Sequence, residues 1–478
     1  METSPSRRPL LSVAFLALLL AGASSALRTP TPPGLVRPAG GLVALVGGTV
    51  VDGTGAKARP GCTVLLDGER IRALGEELEV PDGAEVVDVS GRTLVPGLID
   101  MHGHLFTNLG GRFVNQLVPF ARLYLAGGVT TVFTAGEEEP ADALAFRDAQ
   151  REGSEVGTRI YSAGPYFNHK VGNLDFMTAL DGAESARAMI EDWKDEIDGV
   201  KVYTDITPEE FAAVVELAHA AGLRVTGHLG SLSATRAIDL GIDRLEHGLY
   251  AMSEFGRPNP ADPFDIAYLR GLAEVDFDSG IGAALIDKIV ASGVVLDPTT
   301  VILESLFAGP LEIVPDRLRY VAPHRRPLVV QMDRALAAMR GRAAEPEEWR
   351  ELVERVLDKQ RELLRRVHAK GGKIVAGTDP VFLDVLPGWG LHREAEHLVL
   401  AGLSELAAIR ACTLDAAEAL GLEAELGSIE AGKLADLVVL AGDPTQDITA
   451  LSRTEMVWQA GARFAPAELR ESVVETIE

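Results

Sequence analysis

Eight short apolar segments, each followed by a polar or helical stretch, constrain this chain more than any other feature. They are TLVPGLID (93–100), GVTTVFT (128–134), RIYSAG (159–164) and GVKVY (199–203), then LRVTGH (223–228), IDRLEH (242–247), GVVLDP (293–298) and KIVAGT (373–378). Strands alternating with helices build βαβ units on a parallel sheet. Eight such units are the number that closes a (β/α)8 barrel. The expected fold class is therefore α/β, a TIM-like barrel. One connecting helix is marked at its start, with Thr207 as N-cap, Pro208 in the first helical position and Glu210 completing a capping box. The charged stretch at 311–370 reads as an outer helical layer whose charges face solvent.

The flanks follow other patterns. Residues 42–95 carry short β-like runs separated by Gly and Asp turns, among them LLDGERI with its Asp-Gly hairpin signal. Similar runs return in KLADLVVLAGDP (433–444) and EMVWQAGARF (455–464). A small β-sandwich module built from both chain ends, 42–95 and 425–465, is expected around a barrel at 96–424, with a tail at 466–478. At the start, Arg7 and Arg8 precede an apolar run from Leu10 to Ala23 and small residues through Ala26, the layout of a signal peptide over 1–26. SRRPLL also resembles a twin-arginine signal, with Leu10 where that motif usually has Phe. Residues 27–41, rich in Pro and Gly, read as a linker. Export to the periplasm or medium, by the Sec or twin-arginine route, is expected, with no membrane anchor once the signal is removed. The net charge of −25 disfavours nucleic acid as a partner. Cys62 and Cys412, the two cysteines, read as separate buried thiols.

In a parallel barrel the reactive side chains come from strand C-termini. Here those ends carry His102 and His104, then Lys201, His228, His247 and Asp379. His102 and His104 stand two apart, so on a strand both imidazoles share a face, an arrangement suited to a divalent transition metal. Gly103 between them adds no bulk, leaving room for a ligand to approach the backbone. Each residue also has a plainer reading. His228 or His247 alone can cap a strand, and Asp379, before Pro380, can cap a turn. Lys201, between two valines, needs a carboxylate partner if its ammonium is buried, Asp379 or another acid. The alternative is carboxylation by carbon dioxide, which makes it an anionic bridge between two metals.

The HGH pair, the strand-four lysine, the two later histidines and the strand-eight aspartate resemble the amidohydrolase superfamily. The phrases LVPGLIDMHGH, GVTTVFTAG, RLEHG, VAGTDP and TLDAAEALGLEAELGSIEAGKLADLVVL agree, and the likeness covers about residues 42–464. The resemblance implies that His102, His104 and Asp379 hold one divalent metal, His228 and His247 a second, and N6-carboxylated Lys201 bridges them, with zinc the first expectation. Two such metals about 3.5–4 Å apart can share a hydroxide and polarise a carbonyl. Asp379 is then the general base and acid.

Mononuclear deaminases of the same superfamily usually lack the lysine and place a glutamate just after the strand-five histidine. Here Leu229 and Gly230 follow His228, and Glu246, next to His247, is expected on the opposite face of its strand. The lysine and the EHG phrase are most similar to the prolidase-like and imidazolonepropionase-related branch, which implies hydrolysis of a small amide, a dipeptide or N-acyl amino acid. Some relatives there carry a substrate-binding tyrosine two residues past the strand-five histidine; this chain has Gly230. Tyr203, His169 and His392 are the candidate substrate contacts in its place. Lactonase or phosphotriesterase chemistry on the same residues is the alternative, and a deaminase or a non-catalytic binding protein ranks below both. Metal identity, substrate and the choice between monomer and homo-oligomer stay open.

Overall fold

The computed structural model describes residues 40–109, 112–169, 177–256, 264–278, 280–309 and 317–477. The expected signal peptide and nearly all of the linker lie outside the described residues. The chain opens with β1 (Leu42–Val50), β2 (Arg59–Asp67), β3 (Arg70–Gly75), β4 (Glu85–Asp88) and β5 (Thr93–Pro96). It then enters the central region with β6 (Leu98–Gly103) and a hairpin of β7 (Phe106–Leu109) and β8 (Arg112–Asn115). Next come β9 (Val129–Thr134), β10 (Arg159–Tyr161), β11 (Tyr166–Asn168), β12 (Thr178–Ala179) and β13 (Val200–Val202). The series continues through β14 (Val225–Gly227), β15 (Arg244–Glu246), β16 (Val295–Asp297) and β17 (Lys373–Ile374), and ends with β18 (Leu437–Leu440), β19 (Thr454–Gln459) and β20 (Ala462–Phe464).

The central strands are parallel and carry helices between them, as expected for α/β. They do not form one closed eight-stranded ladder. They form two arcs, β10-β9-β6 and β12-β11-β13-β14-β15-β16-β17. The reason lies in the backbone: most of these strands are only two or three residues long, so the chain has left strand geometry where the arcs meet. Single hydrogen bonds replace a ladder there. Met101 N–H donates to Ala376 O at 3.0 Å and Asp379 N–H to His102 O at 2.8 Å; on the other side Asp198 N–H donates to Ser162 O at 2.7 Å.

The first expected strand, 93–100, belongs to two sheets. Thr93–Pro96 pairs with β18 and β1, and the central strand starts only at Leu98. Gly97 marks the crossing, since a Cβ there would lie 2.1 Å from Thr130 Oγ1. The module itself is one hydrogen-bonded sheet, ordered β20-β19-β18-β5-β1-β2-β3 with β4 also on β1. A sandwich of two sheets is expected here; the pairing joins all eight strands through β1, where β4 branches from the path. The sheet forks because β1 shifts register between Leu45 and Gly48, pairing β4 before the shift and β5 after it. Gly47, at φ +82°, makes the bulge. Leu45, Val64, Ile71, Leu94, Leu437 and Trp458 give the module a buried cluster of its own, drawn from both chain ends. Cys62 and Cys412 are buried and unpaired with one another.

Two helices fill the region read as an outer layer, Arg326–Ala343 and Pro346–Ala369. The second buries Leu352, Val353, Val356, Leu357, Leu363, Leu364 and Val367 along one stripe, the helical period that docks it on the rest of the central region. The helix Pro208–Ala220 begins with the expected capping box, Thr207 and Glu210 bonding reciprocally. No helix among the described residues is long and apolar enough to cross a membrane.

Candidate metal centre

Asp379 is the meeting point of the strand ends. Its Oδ1 lies 2.9 Å from His104 Nε2 and 3.6 Å from His102 Nε2, and its Oδ2 lies 3.8 Å from His247 Nδ1. The His228 ring sits 4.2 Å from the His247 ring, centroid to centroid, and the His247 ring 4.8 Å from that of His102. One ligand-type atom each from His102, His247 and Asp379 fall within 4.8 Å of one another. Residues from β6, β14, β15 and the segment after β17 thus converge on one rim. Lys201, 1% exposed, comes from β13 and pairs with Glu246 beneath the histidines.

Burial disfavours a charge on three of the four imidazoles. His104 Nδ1–H donates to Gly136 O at 3.2 Å, which turns its Nε2 toward Asp379 at 2.9 Å. His247 Nδ1 bonds the Thr299 hydroxyl at 2.8 Å. Burial, then the nearby Lys201 and neighbouring histidines, pushes the basicity of His102 far down; burial does the same to His228, and more mildly to His247. Burial lowers Lys201 too, against the pull of Glu246. Burial alone would raise Asp379, but the His104 hydrogen bond and the electrostatic pull of His104, His247 and Lys201 outweigh it and hold the carboxyl well below its usual range. Neutral imidazoles beside an ionised carboxylate are the donor set a divalent transition metal requires. His102 Nδ1, buried and without a hydrogen-bond partner among the described residues, adds a further unsatisfied polar atom. The residues fit a metal.

Several expectations are redrawn. Glu246 does not turn away from the site: its carboxylate faces Lys201, accepts from Thr226 Oγ1 at 2.8 Å and approaches His102 Nδ1 to 3.6 Å. The strand alternation that would separate it from His247 ends because His247 adopts φ +61°. Lys201 accordingly takes Glu246 as its partner rather than Asp379. Gly103 serves packing, not ligand approach, since a Cβ there would sit 2.0 Å from Val132 Cγ2. His392 is buried within the helix Trp389–Leu400 and donates to Gly127 O at 2.8 Å, away from the cluster. His169 binds Glu210 at 2.8 Å. Tyr203 does reach the cluster, its ring 5.1 Å from that of His228.

Three residues went unnoticed in the sequence. Asp297, fully buried, lies 3.6 Å from Arg244 Nε and 4.0 Å from His102 Nδ1, and burial drives its acidity well down. Arg244 stacks over Phe133 beneath the same group. Gln360, from the second outer helix, accepts from Leu249 N–H at 2.8 Å and donates to Pro298 O at 3.1 Å, pinning the turns after β15 and β16. Only a lone polar residue inside an apolar helical stripe signalled it.

Comparison with known proteins bears on the fold and the family. The putative prolidase from Bifidobacterium longum is 24% identical, with a TM-score of 0.67 over 92% of this chain and 100% of its own. A Xaa-Pro dipeptidase with bound methionine is 23% identical, with a TM-score of 0.66 over 89% of this chain and 100% of its own. Among curated sequences, the dihydroorotase of Mycobacterium leprae is 34% identical over 96 residues, 20% of this chain and only 22% of that protein's length. The model of the amidohydrolase family matches residues 93–462. The chain belongs to the amidohydrolase family.

Proposed function

We propose that this chain hydrolyses a small amide, a dipeptide or an N-acyl amino acid, with two divalent metal ions at the rim. His102, His104 and Asp379 would hold one, His228 and His247 the other, and Lys201, carboxylated, would join them. The observation that carries the reading is the convergence of three histidines from the ends of β6 and β15 on Asp379, within 2.9–3.8 Å, with the His228 ring from the end of β14 packed against that of His247. When bound, such metals supply water activation near neutral pH and polarisation of the scissile carbonyl.

The chain's own groups do the rest. Asp379, kept ionised chiefly by its hydrogen bond to His104, takes a proton from the attacking water and returns it to the departing nitrogen. Burial holds the Tyr203 phenol protonated, so its hydroxyl donates to the substrate beside His228. Gly230 cannot take over a tyrosine's role, because a Cβ there would lie 2.6 Å from Thr204 O. Selectivity therefore falls to Tyr203 rather than to that position. The likeness in fold to a Xaa-Pro dipeptidase supports the choice of a small amide.

We further propose that the two arcs act as one (β/α)8 barrel, that zinc is the resident metal, and that residues 1–26 direct export; a small-molecule amide is the expected partner, in a monomer or homo-oligomer. Metal analysis with a panel of dipeptides, N-acyl amino acids, lactones and organophosphates tests the main reading. About two equivalents of metal and turnover of an amide support it; turnover of only a lactone or phosphotriester overturns the substrate class. A fusion of residues 1–35 to a reporter, followed with each export route disabled, tests the targeting.

A further inference from the structure

We propose that Asp100 is a positioning residue that clamps the two arcs together and thereby fixes the spacing between the HGH pair and Asp379. Its side chain is fully buried two residues before His102. Oδ1 accepts from the His102 amide at 3.0 Å and from the Thr378 amide at 3.1 Å, while Oδ2 accepts from the Thr378 hydroxyl at 2.6 Å. One carboxylate thus holds two segments 278 residues apart in the chain, each adjoining metal-site residues.

The location gives these bonds their weight. β6 belongs to one arc and β17 to the other, so no continuous ladder holds this seam. Besides Asp100, Met101 N–H to Ala376 O and Asp379 N–H to His102 O cross it. Asp379 itself sits at φ +52°, a conformation that costs a non-glycine residue of order 1 kcal/mol and survives only where neighbours over-determine it. Thr378, immediately before it, is held at both its amide and its hydroxyl by Asp100. Without that grip Asp379 is free to relax out of the left-handed region and away from His104 Nε2. Asp100 touches no substrate; it acts through Thr378 and through the His102 backbone.

The inference rests on the metal-centre reading, and its test keeps the two apart. Chelator-stripped protein is titrated with zinc, and separately with manganese, following the metal concentration at half-saturation, the circular dichroism spectrum and the split of kcat against KM. Asp100→Ala is expected to weaken metal binding by about 10- to 100-fold, the usual effect of losing a group that orients ligands, and to lower kcat with KM little changed. Asp100→Asn keeps one oxygen for the two amides and offers an N–H to the Thr378 hydroxyl. It is expected to bind metal within about threefold of wild type, a rescue that loss of generic stability does not predict. A folded Asp100→Ala protein that binds metal and turns over as wild type does overturns the proposal. If Asp100→Ala does not fold, Thr378→Val decides: losing the hydroxyl bond alone is expected to weaken metal binding by about 2- to 10-fold, and wild-type binding overturns the clamp. Failure of the wild-type protein to bind either metal overturns the reading beneath it, and the clamp with it.

Discussion

Lys201→Met would leave Glu246 as a fully buried carboxylate stripped of its cation. Removing one partner from a buried ion pair costs about 3–5 kcal/mol, because the other charge stays out of water. Glu246 keeps the Thr226 hydroxyl at 2.8 Å and Arg244 at 3.8 Å, so the loss falls at the low end, about 3 kcal/mol. The converse change, Glu246→Gln, costs less, about 1–2 kcal/mol, since burial already disfavours the Lys201 ammonium and the amine can give up its proton. The double variant removes both charges together. It should be more stable than the sum of the single losses by at least about 1 kcal/mol. Urea unfolding of metal-stripped protein, read by far-ultraviolet circular dichroism, measures all three. Activity should behave differently. If Lys201 bridges the metals, the single and double lysine variants both lose at least about 100-fold in kcat/KM, so stability returns in the double variant while turnover does not. A Lys201→Met enzyme as active as wild type, or single losses that simply add, refutes the reasoning.

Three other outcomes follow from the same geometry. Tyr203→Phe deletes a hydroxyl beside His228 and should raise KM or lower kcat by about 3- to 10-fold on a good amide substrate; unchanged kinetics remove Tyr203 from the site. Gly103→Ala drives a methyl into Val132 on the adjoining strand, and should cost about 1–3 kcal/mol in urea unfolding. Glu137 is buried, accepts from Thr134 Oγ1 at 2.6 Å, and is pushed by burial up to about 7. Its protonated form is the one the fold accepts, so its contribution is complete below the unfolded value near 4.5 and drains away as pH rises to about 7. Relative to wild type, Glu137→Gln should therefore gain about 3 kcal/mol between pH 4.5 and 7 and stay level above that; parallel pH–stability curves contradict the assignment.

The parts of this molecule that could be read in the sequence are those set by side-chain period. The apolar runs mark eight of the central strands, though not β11 or β12, and polar residues at or near the ends of five of them mark the rim: His102, His104, Lys201, His228, His247 and Asp379. Thr207 and Glu210 announce their helix because a capping box is a local device, complete within four residues. What escaped depends on backbone geometry or on distant partners. Whether the arcs share a continuous ladder is decided by a few amides near residues 376–379 and 162–198, which no local pattern encodes. The fork that makes one sheet of the module depends on a register shift at Gly47 and Gly48. Gln360 reads as part of a solvated helix until its partners, more than sixty residues away, are known.

Glu246 is the most instructive of these, because the rule that misplaced it holds everywhere else along the strand. Alternation requires extended backbone on both sides of a residue, and strand ends are where that condition stops. Of the four non-glycine residues with positive φ among the described residues, three are His247, Thr299 and Asp379. His247 bonds Thr299 and lies 3.8 Å from Asp379, so the strained positions form one contiguous patch. Each left-handed residue reverses the expected face of its neighbour, which is how consecutive residues, Glu246 and His247, both reach the cluster. The period-two argument therefore fails where the chemistry sits, and fails for a physical reason: a rim that gathers ligands from several strands needs backbone turned out of the pleat. Acidic residues next to strand-end histidines belong among the candidates whichever face alternation assigns them.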